Sequence, residues 1–194
     1  MRNLFFITLA TMILLGCNNS KSGDAKGEPG SIFYTEFDTQ FGMPPFDKIT
    51  FDDFEPAFLK GIEEQAKEIE AIVNNTEEPN FENTIAALDN SGSILGRVSR
   101  VFGGLKGAET NDDIQALAVK LSPILSDHSD NINLNEQLFE RIKTVHDNEE
   151  NLNLTPEQSR LLDVYYKRFV RSGIELDETA KTKLRGINKE LSSL

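Results

Sequence analysis

The chain has no tryptophan, a single cysteine at position 17 and two histidines. One cysteine excludes any intramolecular disulfide. The histidines, His128 and His146, stand 18 residues apart with no close pair of the H-x-x-x-H kind. A zinc site needs three or four ligands, so the expectation is that this chain ligates no metal. Positive charge is also scarce: 20 Lys and Arg face 32 Asp and Glu, a net charge of −12. Such a surface repels phosphate and excludes nucleic acid as a partner. No alternating apolar pattern suggests a strand, and no repeat of fixed period is visible. The acidic doublets do not form an acid–base pair, because adjacent residues on a helix point in different directions. The residues taken alone supply no catalytic group.

The longest apolar run, Leu4 to Leu15, is too short for an ordinary transmembrane helix. It follows Arg2 and precedes Gly16-Cys17, the layout of a secretory signal peptide over residues 1–16. Leu14-Leu15-Gly16-Cys17 resembles a bacterial lipobox. That resemblance implies cleavage before Cys17 and lipidation of its thiol, giving a membrane-anchored protein of the bacterial cell envelope. Each buried methylene contributes about 0.8 kcal/mol, so two or three acyl chains would hold it firmly on a membrane. Residues 17–31 continue as "CNNSKSGDAKGEPGS", without a large apolar side chain after Cys17. They read as a flexible tether.

The folded part is expected over residues 32–194. It opens with an irregular arm in which Phe33, Tyr34, Phe37, Phe41 and Phe46 staple the chain to a body, and Pro44-Pro45 prevents a helix. Six helices follow. The first shows an apolar face of Phe54, Phe58, Ile62, Ala66, Ile69 and Val73, with Asp52 or Asp53 as its cap. The second carries Phe81, Ile85, Leu88, Leu95, Val98, Phe102 and Leu105 on one stripe, with Gly92, Gly96, Gly103 and Gly104 inside it. Each such glycine costs about 1 kcal/mol, which requires either a closely packed neighbour or a break. The third is expected to kink at Pro123. The fourth starts at an Asn135 cap, and the fifth at a Thr155–Gln158 capping box with Pro156 at N1 and Gly173 as its stop. The sixth is capped by Asp177. The fold class is all-α, built from antiparallel helical hairpins.

Several segments together resemble the N-terminal part of bacterial peptidyl-dipeptidases, in the zinc metallopeptidase family of thimet oligopeptidase and oligopeptidase A. They are "FYTEFDTQFGMPPFDKITFDDFEPAFLKGIEEQ", "PNFENTIAALDNSG", "LSPILSDHSDNINLNEQLFERI" and "LTPEQSRLLDVYYKRFVRSGIELDETAKTKLRGINKELSSL". Phe81, Asn83 and Thr84 of "FENTIAAL" carry it most strongly. The resemblance implies one wall of a substrate channel, short peptides as substrates, release of C-terminal dipeptides, and zinc held by an H-E-x-x-H helix plus a later Glu. No H-E-x-x-H occurs here. No catalytic or metal-binding residue is therefore carried over, and zinc is expected only in the full-length family.

Ala180, Leu184, Ile187, Leu191 and Leu194 form a helical stripe that reaches the final residue. It reads as cut rather than concluded, with a catalytic lobe expected beyond residue 194 as its partner and no hydrolysis by this chain alone. The alternatives are a stand-alone helical lipoprotein that binds peptide or a protein partner, and a half-enzyme completed by a separately encoded lobe.

Overall fold

The computed structural model describes residues 27–193. The expected signal segment, Cys17, the expected tether up to residue 26 and Leu194 lie outside the described residues. Among those described there is no strand, and the chain is all-α as expected. The helices are α1 (Phe54–Val73), α2 (Ala87–Asn90), α3 (Ser93–Ala108), α4 (Asp112–Asn133), α5 (Glu136–Asp147), α6 (Pro156–Arg171) and α7 (Glu178–Leu191).

α1 is the spine, and it serves two cores. Its first half meets α3, the start of α4 and the arm around Phe33, Phe54, Phe58 and Phe102. Its second half meets α2, α5 and α6 around Ile72, Ile85, Leu138 and Phe169. The buried face of α1 is Phe54, Ala57, Phe58, Gly61, Ile69 and Ile72, so it is turned relative to the expected one, and Ala66 is exposed. The turn has a physical cause in Gly61. A Cβ there would lie 2.7 Å from the Leu95 nitrogen and 2.8 Å from its Cα. Gly61 is what lets α1 and α3 approach closely, while Ala57 admits Gly30 of the arm.

The expected second helix is broken. A π-helical entry, Phe81–Ala86, leads into α2, and the chain turns at Ser91-Gly92 before α3 begins. Gly92 is left-handed (φ 73°), and its N–H donates to Glu68 Oε2 at 2.7 Å. A Cβ at Gly92 would strike the Gln65 side chain, at 2.4 Å from Nε2. Gly103 and Gly104 remain in α3, and no atom lies within 4 Å of a Cβ placed on either. The expected close neighbour is therefore not what accommodates them. α4 passes through Pro123 as one continuous helix.

The caps at Asn135, Thr155 with Gln158, and Asp177 form as expected. Gly173 (φ 89°) stops α6, with the Ile174 N–H donating to Phe169 O and the Gly173 N–H to Val170 O. That pairing is a Schellman motif, sealed by contact between Ile174 and Phe169 in the same core. Asp53 works differently from the expected cap. Its carboxylate accepts from the Thr50 N–H and hydroxyl and, at 2.9 Å, from the Gly30 N–H. Gly30 is buried against Ala57, so the folded body begins two residues inside the expected tether.

The arm divides. Phe33 is fully buried, with its ring 6.1 Å from Phe37 and 5.6 Å from Phe54. Phe41, by contrast, is 91% exposed on a tight turn in which both Phe41 and Gly42 have positive φ. The staple therefore consists of Phe33 and Phe37, while Phe41 and Phe46 stand outward.

Candidate functional site

The break after α2 creates a cleft of about 370 Å³ between α1, α4 and α6. Leu88, Leu125, Ile132 and Phe169 supply apolar walls, and Gln65, Asp89, His128 and Arg168 supply polar groups. Gln65 is the centre of the network. Its Oε1 faces His128 Nε2 at 2.8 Å, and its Nε2 donates to Ser91 Oγ at 3.2 Å. Ser91 in turn donates to Leu88 O at 2.8 Å. The amide stands between imidazole and hydroxyl, so Ser91 and His128 do not form a nucleophile–base pair. On the opposite wall Tyr165 donates to Asp89 Oδ1 at 2.9 Å, and the Arg168 guanidinium lies 4.8 Å from the Tyr165 ring centroid. Burial and the Asp89 carboxylate push the Tyr165 hydroxyl up to about 12, so it stays a donor at any ordinary pH. These groups can hold and orient a polar chain, but none is poised to attack one.

Burial lowers the His128 pKa below its ordinary 6.5, with Asp127 partly opposing the shift. A depressed imidazole keeps its stabilising neutral form above 6.5, and that contribution is lost as pH falls through the folded value. Urea midpoints are therefore expected to drop as pH falls below 6.5, and a His128→Gln variant to show a shallower drop. Equal slopes in the two proteins would sink this assignment.

The residues behind the strongest sequence signal have a structural role. Asn83 forms a reciprocal cap with Asn80 and accepts from Arg141 Nη2 at 3.2 Å. Arg141, only 9% exposed, also donates to Asn75 O at 2.8 Å. Phe81 and Thr84 are buried beside it. Sequence reasoning missed Arg141 because its partners lie 58 to 66 residues away.

His128 is engaged with Gln65, and His146 stacks on Tyr166 with ring centroids 3.9 Å apart. Among the described residues no three His, Cys, Asp or Glu side chains converge as metal ligands. No helix among the described residues is long and apolar enough to cross a membrane. Cys17, the expected lipidation site, lies outside the described residues.

No protein-family model matches the chain. It is 41% identical over 154 residues to a dipeptidyl carboxypeptidase of Salmonella typhimurium, covering 79% of this chain and 23% of that protein. It is 40% identical over 151 residues to the dipeptidyl carboxypeptidase of Escherichia coli, covering 78% of this chain and 22% of that protein. Oligopeptidase A of Escherichia coli is 24% identical over 156 residues, or 80% of this chain and 23% of that protein. By these matches the chain is similar to dipeptidyl carboxypeptidases and, more distantly, to oligopeptidase A, and it spans less than a quarter of the length of those proteins.

Proposed function

We propose that the chain is the N-terminal, substrate-channel portion of a lipid-anchored zinc peptidyl-dipeptidase that hydrolyses short peptides and releases C-terminal dipeptides. The observation that carries this reading is the 41% identity over 154 residues to a protein named dipeptidyl carboxypeptidase. The all-α architecture supports it, and so does α7, where Ile187 and Leu191 stand 44% and 61% exposed as a face available to a further lobe. In this reading Cys17 carries the lipid, residues 1–16 are the signal peptide, and the residues after Cys17 up to about Pro29 form the tether to the envelope membrane. The chain contributes binding surface, while zinc and its ligands belong to the catalytic lobe. On its own it cleaves nothing.

The test joins this chain to the remaining part of the Salmonella relative and measures dipeptide release from short peptides with and without a chelator. Chelator-sensitive release by the joined protein, and none by the chain alone, is the expected result. A folded, zinc-loaded joined protein that cleaves no peptide would overturn the reading, as would hydrolysis by the chain alone. Labelled fatty acid should enter the wild-type chain and not a Cys17→Ser variant.

A further inference from the structure

A groove of about 460 Å³ lies between the exposed arm turn and α3. One wall is aromatic and apolar, made by Phe37, Pro44 and Phe46. The other carries Arg97 and Arg100, one turn apart on α3. Arg97 Nη1 donates to Phe33 O at 2.6 Å, and its guanidinium lies 6.0 Å from the Phe37 ring centroid. That fixes Arg97 against the arm without neutralising it. Among the described residues neither Arg97 nor Arg100 is ion-paired to a carboxylate, in a chain whose net charge is −12. Among the described residues the only acid on the groove wall is Glu36, so the two guanidiniums leave it net positive. Gly104 lines the same wall, and no atom lies within 4 Å of a Cβ placed there, so the floor stays open beside Arg100.

We propose that this groove binds the carboxy-terminal residue of a short peptide, with an apolar side chain against Phe46 and Pro44 and the carboxylate on Arg100 and Arg97. Charge complementarity selects the occupant. A guanidinium matches a carboxylate in a fork geometry that a neutral chain end cannot exploit, and two of them line this wall. An aromatic wall next to that charge suits an apolar residue carrying a terminal carboxylate. The assignment rests on the peptide-hydrolase reading only for the class of ligand. The lining residues named here all belong to this chain.

The absence of tryptophan makes the test direct, because a tryptophan-containing peptide is then the sole tryptophan fluorophore. Fluorescence polarisation of the dipeptide Ala-Trp is followed as the full chain, in detergent micelles, is titrated in, alongside its C-terminal amide. The expected result is binding of the acid and at least roughly tenfold weaker binding of the amide. Arg100→Gln and Phe46→Ala should each weaken the acid, with the amide unaffected by Arg100→Gln. Both side chains are exposed, and unchanged far-UV circular dichroism checks that the fold is kept. Equal binding of acid and amide, no binding at millimolar chain, or indifference to Arg100→Gln would each overturn the proposal. Carboxylate-dependent binding beside a joined protein that cleaves nothing would leave the groove standing and remove the peptidase reading. A working joined peptidase with an indifferent groove would do the reverse.

Discussion

Replacing Phe102 with alanine is expected to lower the thermal midpoint of the chain by on the order of 10 °C. The Phe102 ring lies 5.2 Å from Phe54 and 5.5 Å from Phe58, both in edge-on geometry, and the residue is 6% exposed. Phe54 passes the contact on to Phe33, so one deletion opens the junction of α1, α3 and the arm together. Truncating a buried Phe to Ala costs about 3–5 kcal/mol, since neighbouring rings collapse only partly into the space. A domain has about 5–15 kcal/mol in total, so the loss is a large share. Circular dichroism melts give the midpoint. Limited trypsin digestion gives the location, because loss of the Phe33 staple should expose the arm to cleavage at Lys48. A shift of only about 2 °C with an intact arm would mean that this aromatic cluster is not what joins them.

What could be foreseen from the chain, and what could not, follows the reach of each interaction. Caps are made within three residues, so Asn135, Asp177 and the Thr155–Gln158 box were legible from their spacing alone. The Schellman stop at Gly173 is equally local. The break at Ser91-Gly92 was only one of two options for a glycine inside an apolar stripe. What decides it is Gln65 and Glu68, which lie on α1, 26 and 24 residues before their partners, and hold the turn from the side.

The arm shows the same limit. Five aromatics in a row said that something is stapled, but not which of them. Phe33 and Phe37 find α1 and α3, whereas Phe41 sits on a turn whose positive φ angles point it away. On α7 the apolar stripe sets Leu184 beside Gly173, yet the ties to α4 and α5 run through polar groups. Lys181 is buried and pairs with Glu136, Arg185 donates to Asn131 at 2.9 Å, and Asn188 to Asp130 at 2.8 Å. Periodicity weighs side-chain polarity, and it cannot see a lysine whose partner stands 45 residues away. The cleft was invisible for the same reason, since His128 and Gln65 are 63 residues apart. The groove at Arg97 and Arg100 depends on which arm residues the fold leaves outside.

Two glycine substitutions of opposite sign separate close helix packing from mere helix propensity. Alanine at an exposed helical glycine gains up to about 1 kcal/mol, because glycine has more backbone freedom to lose. Gly103→Ala should show that gain, since nothing lies within 4 Å of the new methyl group. Gly61→Ala draws on the same propensity term but places Cβ 2.7–2.8 Å from the α3 backbone at Leu95. Backbone cannot step aside as a side-chain tip can, so α1 and α3 must separate along the whole contact that unites the first core. Overpacking of this kind costs about 1–3 kcal/mol, and Gly61→Val, with two further methyl groups, belongs at or above the upper end. The expectation is a clear loss for Gly61→Ala, a larger one for Gly61→Val, and a small gain for Gly103→Ala, each read as a urea midpoint at constant slope. If Gly61→Ala proved as stabilising as Gly103→Ala, the close approach of α1 to α3 would be wrong. The turn of the α1 face away from its apolar periodicity would then lose its cause.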